Sequence, residues 1–202
     1  VTNETPFYPE GGGQIGDTGE IISNSASIAV KNTFRDGEDI IHLVDNLPIE
    51  LGDSLLMKID KNRRLSIQRN HTSTHLLQFA LKKILGNHIE QRGSMLTEDI
   101  FRFDFSHQSK LSDKELNDVE ELVKSLIKDK IQCIEDRQAN YHDAINAGAI
   151  GLFSEKYGDV VRTIKFGESY ELCGGTHVKN TREIEDFKII SESSQAFGIR
   201  RI

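Results

Sequence analysis

The chain has 202 residues, which is enough for one large domain or two small ones. Its composition is ordinary for a folded protein, with 37% hydrophobic residues, 28% charged residues and a formal net charge of −7. This acidic balance argues against a protein that coats nucleic acid through a broad basic face. No apolar run comes near the ~18 residues that a membrane-spanning helix needs, so no membrane partner is expected.

The cysteines and the N-terminal residues indicate the cellular location of the protein and whether it is part of a longer chain. Cys133 and Cys173 are too few for a disulfide framework, which favours a reducing, cytoplasmic location, with Cys133 as a small core residue. The first 20 residues are polar and glycine-rich, unlike a signal peptide. The chain starts with Val1 and not with Met, which suggests a piece of a longer protein.

Residues 1–65 are predicted to form a small β domain. Residues 5–14 contain two prolines and the run Gly11-Gly12-Gly13, which exclude a helix and allow either a plain loop or close approach of the backbone to a partner. Turn signals at Asp36-Gly37, at residues 46–48 and at Gly52-Asp53 then separate short apolar runs. These runs predict strands at residues 19–22, 27–33, 40–44 and 54–59, a spacing typical of a small barrel or sandwich.

Residues 66–202 are predicted to form an α+β core with helices packed on a mostly antiparallel sheet. Residues 60–69 are taken as a charged link into the first helix. A capping box at Ser112 predicts a second helix, and residues 141–147 predict a short third one. The strands of this core are predicted at residues 89–94, 101–105, 131–135, 160–166, 169–172, 187–192 and 198–202.

Two histidines at helical spacing indicate the first half of a metal site. His71 and His75 would lie one turn apart on one face of a helix. Asn70 is a suitable N-cap for that helix and Gly86 a suitable stop, with apolar residues at helical spacing between them. The sequence therefore predicts that both imidazoles lie on the first turns of an amphipathic helix.

The segment Cys173-Gly174-Gly175-Thr176-His177 offers the second half. Its two glycines predict a tight loop, because glycine adopts backbone angles that other residues resist. One thiolate and three imidazoles make a reasonable tetrahedral zinc site. Each pair alone is common by chance, and either histidine could instead cap a helix or lie on the surface. Thr72 stands where a metalloprotease helix carries its glutamate base, which argues against that class.

Several motifs together resemble the editing region of alanyl-tRNA synthetase, and the resemblance covers nearly the whole chain. They occur in the order found in that family, and the CGGTH segment downstream of HxxxH is the most specific of them. The matching segments are TPFYPEGGGQIG (5–16), HTSTHLL (71–77), QRGS (91–94), RFDF (102–105), FSEKYG (153–158), ELCGGTHV (171–178) and GIRRI (198–202). Ser73 departs from the family's usual alanine and could alter the shape of the pocket.

The resemblance implies a zinc-dependent deacylase that hydrolyses mischarged Ser-tRNA(Ala) and Gly-tRNA(Ala). It implies a small β-barrel ahead of the editing core, and an ATP-dependent aminoacylation domain elsewhere in the parent synthetase. By position it also assigns roles to individual residues. The zinc ligands would be His71, His75, Cys173 and His177, and Gln91 aligns with a glutamine of the family's editing pocket. Thr74 lies between the metal ligands and is the second polar candidate for that pocket. The acidic net charge indicates that only the tRNA acceptor end is bound, and the candidate contacts are Gly11, Gly12, Gly13 and Gln14.

Three alternatives stay open on the sequence. The chain could be a free-standing AlaX-type trans-editing protein, a non-catalytic zinc-stabilised RNA-binding module, or an unrelated zinc hydrolase. A site with four protein ligands is of the closed, structural kind, whereas catalytic zinc keeps one position open. The sequence therefore leaves open whether Zn²⁺ takes part in the chemistry or shapes the pocket.

Overall fold

The computed structural model describes residues 1–23, 26–47, 54–152 and 157–202. Within these residues the predicted α+β class is confirmed, with three α-helices and three sheets in which neighbouring strands run antiparallel. The core therefore consists of several small sheets and not of the one larger sheet that was predicted. None of the described helices combines the length and the apolar character that a membrane crossing requires.

The N-terminal sheet contains β1 (Gly19–Ser23), β2 (Ala26–Asp36), β3 (Asp39–Val44) and β4 (Leu56–Ile59), in the order β3-β2-β1-β4. All four strands were predicted, and alternate residues of β1 and β2 are buried, as expected for a sheet with one face on a core. In the described part of the chain β3 and β4 end the strand order, so closure into a barrel stays a prediction. The turn signals at Pro48 and Gly52-Asp53 lie outside the described residues.

Helix α1 spans Lys61–Leu85, and the predicted start at Asn70 is therefore wrong by more than two turns. Its N-cap is Asp60, whose carboxylate accepts a hydrogen bond from the Arg63 backbone N–H at 3.0 Å. The segment predicted as a charged link, from residue 61 onward, forms the first turns of α1. Arg63 and Arg64 in these turns bind the N-terminal segment. Arg63 Nη1 donates to the Gly16 carbonyl at 2.7 Å, and Arg64 Nε donates to the buried Asp17 carboxylate at 2.9 Å.

The earlier start places the two histidines in the middle of α1. Residues 71–78 are all buried in a helix of 25 residues, so the histidines lie inside the molecule and not at a helix terminus. Helix α1 ends at Leu85 with Gly86 as its cap (φ 115°), as predicted. The predicted boundary at residue 65 lies within α1, and the division into two units stays a prediction.

The second sheet has the order β10-β11-β6-β5 and contains β5 (Gln91–Leu96), β6 (Phe101–Ser106), β10 (Ser193–Ala196) and β11 (Ile199–Arg201). The predicted strand at residues 187–192 is wrong. That segment pairs with none of the described strands and instead runs along the second helix, where the Ile189 backbone N–H donates to the Glu120 carboxylate at 3.0 Å.

The remaining elements complete the core. Helix α2 (Asp113–Lys128) begins with the predicted capping box of Ser112 and Glu115. The third sheet, in the order β7-β8-β9, consists of β7 (Cys133–Asn140), β8 (Val160–Phe166) and β9 (Ser169–Leu172), and α3 (Tyr141–Asn146) follows β7. Cys133 is partly buried beside the main core, as predicted, and its thiol is free. That core packs α1 against α2 and against the second and third sheets, which fixes α1 beside the end of β9.

Candidate metal centre

Two elements far apart in sequence bring together four side chains that could hold a metal ion. His71 and His75 come from α1, with ring centroids 5.3 Å apart, and both are buried. Cys173 and His177 come from the loop that follows β9. Cys173 Sγ lies 3.4 Å from His71 Nε2 and 3.3 Å from His177 Nε2. One donor atom from each of the four residues lies within 4.8 Å of the others, so the grouping predicted from the sequence is present.

The two glycines of this loop were predicted to adopt unusual backbone angles, and the structure shows other roles for them. Neither Gly174 nor Gly175 has a positive φ, so the loop does not need them for their backbone angles. A β-carbon at Gly175 would instead overlap the His71 ring and lie 3.0 Å from Gln14 Oε1. A β-carbon at Gly174 would meet nothing within 4 Å. Gly175 is therefore required by close packing on His71.

Arg162 on β8 fixes the loop from the other side. Its Nη1 donates to the Cys173 carbonyl at 2.8 Å and to the Gly175 carbonyl at 2.6 Å. Its Nε forms an ion pair with Glu135 at 2.7 Å. Two carbonyls of one short loop bound to a single guanidinium hold the positions of Cys173 and His177 relative to the sheet.

Two of the three imidazoles have a hydrogen-bonding partner at Nδ1. His71 Nδ1 lies 2.8 Å from Gln14 Oε1, and His177 Nδ1 lies 3.2 Å from Thr72 Oγ1. His75 Nδ1 lies 3.5 Å from the buried Glu171 carboxyl but makes no hydrogen bond to any described residue. Metal-binding histidines usually have such a partner on the ring nitrogen that faces away from the metal.

The electrostatics of the site favour neutral imidazoles. Burial lowers the pKa of His71 to about 3, with a smaller contribution from the Arg162 charge. Burial lowers the pKa of His75 and His177 well below the usual range, and the other histidines and Arg162 add to that effect. A neutral imidazole is the form that binds a metal.

The two acidic groups of the site have raised pKa values in the metal-free protein. Burial raises the pKa of the Cys173 thiol to about 12 and that of the Glu171 carboxyl to about 8. Three neutral imidazoles and one sulfur ligand form the donor set that zinc prefers, and a divalent cation stabilises the thiolate that binds it. The four residues therefore fit Zn²⁺.

A cavity of about 590 Å³ lies against this centre. Of the four candidate metal ligands, His71, His75 and Cys173 line it, whereas His177 does not. The two predicted pocket residues line it as well. Thr74 donates its hydroxyl to the Asn70 carbonyl at 2.9 Å, and Gln91 Nε2 donates to Ser94 Oγ at 3.1 Å.

The glycine-rich segment is divided between the cavity and the interior. Gly11 and Gly12 line the cavity beside Tyr8, whereas Gly13 and Gln14 are not among its lining residues. Gln14 is fully buried and contacts His71 and the CGGTH loop. Of the four residues predicted to contact the tRNA acceptor end, only Gln14 is buried, and contact of the three glycines with RNA stays a prediction.

The sequence did not indicate the role of three residues of the centre. They are Gln14, which contacts His71, and the two charged residues Glu171 and Arg162. Glu171 lies two residues before Cys173, so a search for carboxyls near the predicted ligands could have found it. Arg162 and Gln14 lie in separate elements, and nothing in their spacing indicates the contact. Metalloproteases carry a carboxyl beside the metal on the histidine helix; here the nearby carboxyl, Glu171, comes from β9.

The chain resembles known proteins along its whole length. A family model described as "Threonyl and Alanyl tRNA synthetase second additional domain" matches residues 161–202, and one described as "tRNA synthetases class II (A)" matches residues 1–63. The alanine–tRNA ligase of Christiangramia forsetii is 50% identical over 203 residues. Those of Wolbachia pipientis and Thermotoga maritima are each 47% identical, over 205 and 206 residues. Each match covers 100% of the chain but only 23% or 24% of the relative.

Proposed function

The chain is related over its whole length to one segment of the alanine–tRNA ligase family, and from this premise we propose that it is an editing hydrolase. It removes the wrong amino acid from mischarged Ser-tRNA(Ala) and Gly-tRNA(Ala) by hydrolysing the aminoacyl ester. The observation that carries the proposal is the cavity, because three metal-binding residues and both proposed pocket residues line the same space.

The four-residue centre supports a zinc-dependent reaction. When bound, Zn²⁺ supplies a Lewis acid that polarises a carbonyl or lowers the pKa of a water. The protein contributes the surroundings: His71, His75 and Cys173 lie at the wall of the cavity, and Arg162 holds the loop that carries Cys173. An aminoacyl ester in this cavity is surrounded by buried groups and partly shielded from bulk water, which strengthens electrostatic interactions with it.

Selection of serine over alanine needs a group that binds the seryl hydroxyl. Thr74 donates its own proton to the Asn70 carbonyl, so its oxygen is oriented to accept a hydrogen bond from a substrate in the cavity. Gln91 lines the same cavity and offers a second polar group. With an alanyl substrate the buried Thr74 oxygen loses that hydrogen bond, at a cost on the order of 1–3 kcal/mol.

The acceptor end of tRNA(Ala) is the proposed partner, and its contacts are local. Gly11 and Gly12 line the cavity, so the RNA backbone can come close to them without meeting a side chain. Arg35 lines the same cavity and is exposed, which suits a phosphate of the terminal nucleotides. The net charge of −7 fits contact with one end of the tRNA and not with its whole length.

The wider role is also a proposal. The relatives that match are about four times as long as the chain, which supports an editing part of a cytoplasmic alanine–tRNA ligase. Attachment of alanine to tRNA(Ala) with ATP would then belong to other domains of the parent protein. A free-standing AlaX-type protein would have the same editing chemistry without those domains.

The direct test is a deacylation assay with Ser-tRNA(Ala) and Ala-tRNA(Ala), each with and without a zinc chelator. We expect Ser-tRNA(Ala) to be hydrolysed at least tenfold faster than Ala-tRNA(Ala), in line with a loss of about 1–3 kcal/mol per unpaired group, and we expect the chelator to abolish the difference. A protein that binds the tRNA and zinc but hydrolyses neither ester would be the non-catalytic RNA-binding module instead.

Two variants and a matched control place the selectivity. Thr74→Val and Gln91→His should each slow hydrolysis of Ser-tRNA(Ala), whereas Thr74→Ser keeps the hydroxyl and should stay close to the wild type. Unchanged rates in both Thr74→Val and Gln91→His would remove these residues from the pocket.

A further inference from the structure

Gln14 lies at the end of the glycine run but faces the metal centre. Its side chain is fully buried and contacts both halves of that centre. Oε1 lies 2.8 Å from His71 Nδ1 on α1 and accepts a hydrogen bond from the Thr176 backbone N–H at 3.0 Å. Nε2 donates to Thr176 Oγ1 at 3.0 Å. One side chain of the N-terminal segment therefore joins the histidine helix to the CGGTH loop.

These contacts fix which way the amide faces and which tautomer His71 adopts. The Thr176 backbone N–H can only donate, so the amide oxygen, and not the nitrogen, must lie beside it. The same oxygen lies beside His71 Nδ1, which must then carry the proton. His71 Nε2 is consequently unprotonated, and it faces Cys173 Sγ at 3.4 Å. A ligand atom held in this state is ready to bind a metal.

The glycines place Gln14 by letting its segment pack against β5. Gly12 and Gly13 have positive φ values of 60° and 86°, which turn the chain. A β-carbon at Gly13 would overlap Ser94 Oγ and lie 2.7 Å from the Ser94 carbonyl oxygen. The Leu96 backbone N–H donates to the Gly13 carbonyl at 2.8 Å, and Gln14 forms a parallel bridge with Leu96. The glycine run thus allows a close contact within the protein.

We propose that Gln14 is a positioning residue of the metal centre, which holds the His71 ring in the Nδ1-protonated tautomer and ties it to the CGGTH loop. The glycine-rich segment, which precedes β1, then completes the metal site, in addition to its face on the cavity. This inference rests on zinc binding by the proposed editing site, but it concerns metal affinity and not RNA.

The test measures zinc affinity by competition with a chromophoric chelator. Gln14→Leu keeps the size of the side chain and removes both polar atoms, and we expect zinc to bind on the order of 10- to 100-fold more weakly. Gln14→Glu keeps oxygens that accept from His71 Nδ1 and from the Thr176 N–H, and we expect an affinity close to the wild type.

Gln78→Leu is the matched control. Gln78 is a buried glutamine on α1, and its side chain makes no hydrogen bond to any described residue. Loss of this side chain should leave zinc affinity unchanged. Circular dichroism of the metal-free variants checks that each one is folded.

A second readout follows the tautomer itself. Nitrogen-15 NMR of labelled histidine in the zinc-loaded protein should find His71 protonated at Nδ1 in the wild type and in Gln14→Glu. Wild-type affinity in Gln14→Leu, or a His71 ring protonated at Nε2, would overturn the inference while leaving the deacylase proposal standing. If Gln14→Leu weakened zinc binding but the wild type hydrolysed no aminoacyl ester, the proposed function would be wrong and the inference about Gln14 would stand.

Discussion

Two adjacent glycines show how different the demands on neighbouring residues of the site are. Gly175 lies against the His71 ring and the Gln14 amide, so only a hydrogen atom fits there. Gly174 has open space around it and an ordinary φ. Replacing each glycine by alanine therefore adds the same methyl group at a crowded position and at an open one.

Gly175→Ala is predicted to weaken zinc binding, because its methyl group displaces the His71 ring. We expect a loss on the order of tenfold or more, comparable to the loss of an outer partner. Gly174→Ala should bind zinc like the wild type. Chelator competition on both variants measures the difference, and equal affinities would mean that the loop adjusts freely and does not hold His71 in place.

The types and spacing of the residues identify the predicted metal ligands, but not the side chains that hydrogen-bond to them. His71 with His75, and Cys173 with His177, are each four residues apart, so local spacing predicts them from sequence. Gln14 is 57 residues from His71 and 162 from Thr176, and a contact over such a separation depends on the fold. The prediction that Gln14 touches RNA treated a conspicuous loop as exposed, whereas packing buries that side chain.

Among the elements, α2 shows how a charged residue can bind an irregular segment to a helix. Glu120 lies on the buried face of α2 and accepts hydrogen bonds from Lys124 Nζ at 2.7 Å, Lys188 Nζ at 2.9 Å and the Ile189 N–H at 3.0 Å. Burial alone would raise the pKa of Glu120, but these three donors outweigh it and lower the pKa to about 2.

This pKa shift predicts an acid-sensitive contribution to stability. A carboxyl whose pKa is lower in the folded state, about 2, than in the unfolded state, about 4.3, stabilises the fold above pH ~4.3 and loses that contribution as the pH falls toward 2. Between pH 6 and pH 3 the metal-free wild type should lose about 2 kcal/mol more free energy of unfolding than Glu120→Gln.

Urea denaturation at the two pH values measures this difference, with the exposed neighbour Glu121→Gln as the control. The Glu121 variant should follow the wild type. If Glu120→Gln showed the full acid sensitivity of the wild type, the hydrogen bonds to Glu120 would not be the cause.

The elements that sequence patterns located well are those with a clear period or a cap. The strands of the N-terminal sheet, the capping box of α2 and the end of α1 at Gly86 were all found. The start of α1 was missed because its first turns are charged, and their stability comes from contacts with the N-terminal segment. Residues 187–192 have the apolar content of a strand, but bonding to Glu120 replaces strand pairing there.

On the scale of the whole molecule, three parts of the chain meet at one centre: the glycine-rich segment, the middle of α1 and the loop after β9. The ion pair of Arg64 with the buried Asp17 and the bond from Arg63 to the Gly16 carbonyl fasten the first of these parts to α1. The family resemblance gave the order of these parts along the chain. Their convergence depends on long-range packing that no local pattern specifies.

X-ray absorption at the zinc edge of the zinc-loaded protein shows whether His71, His75, Cys173 and His177 together bind one Zn²⁺ beside the cavity. We expect three nitrogen neighbours at about 2.0–2.1 Å and one sulfur at about 2.3 Å, with the sulfur lost in Cys173→Ser. A zinc shell of oxygen and nitrogen alone in the wild type, or a protein that does not retain one zinc per chain, would contradict this expectation.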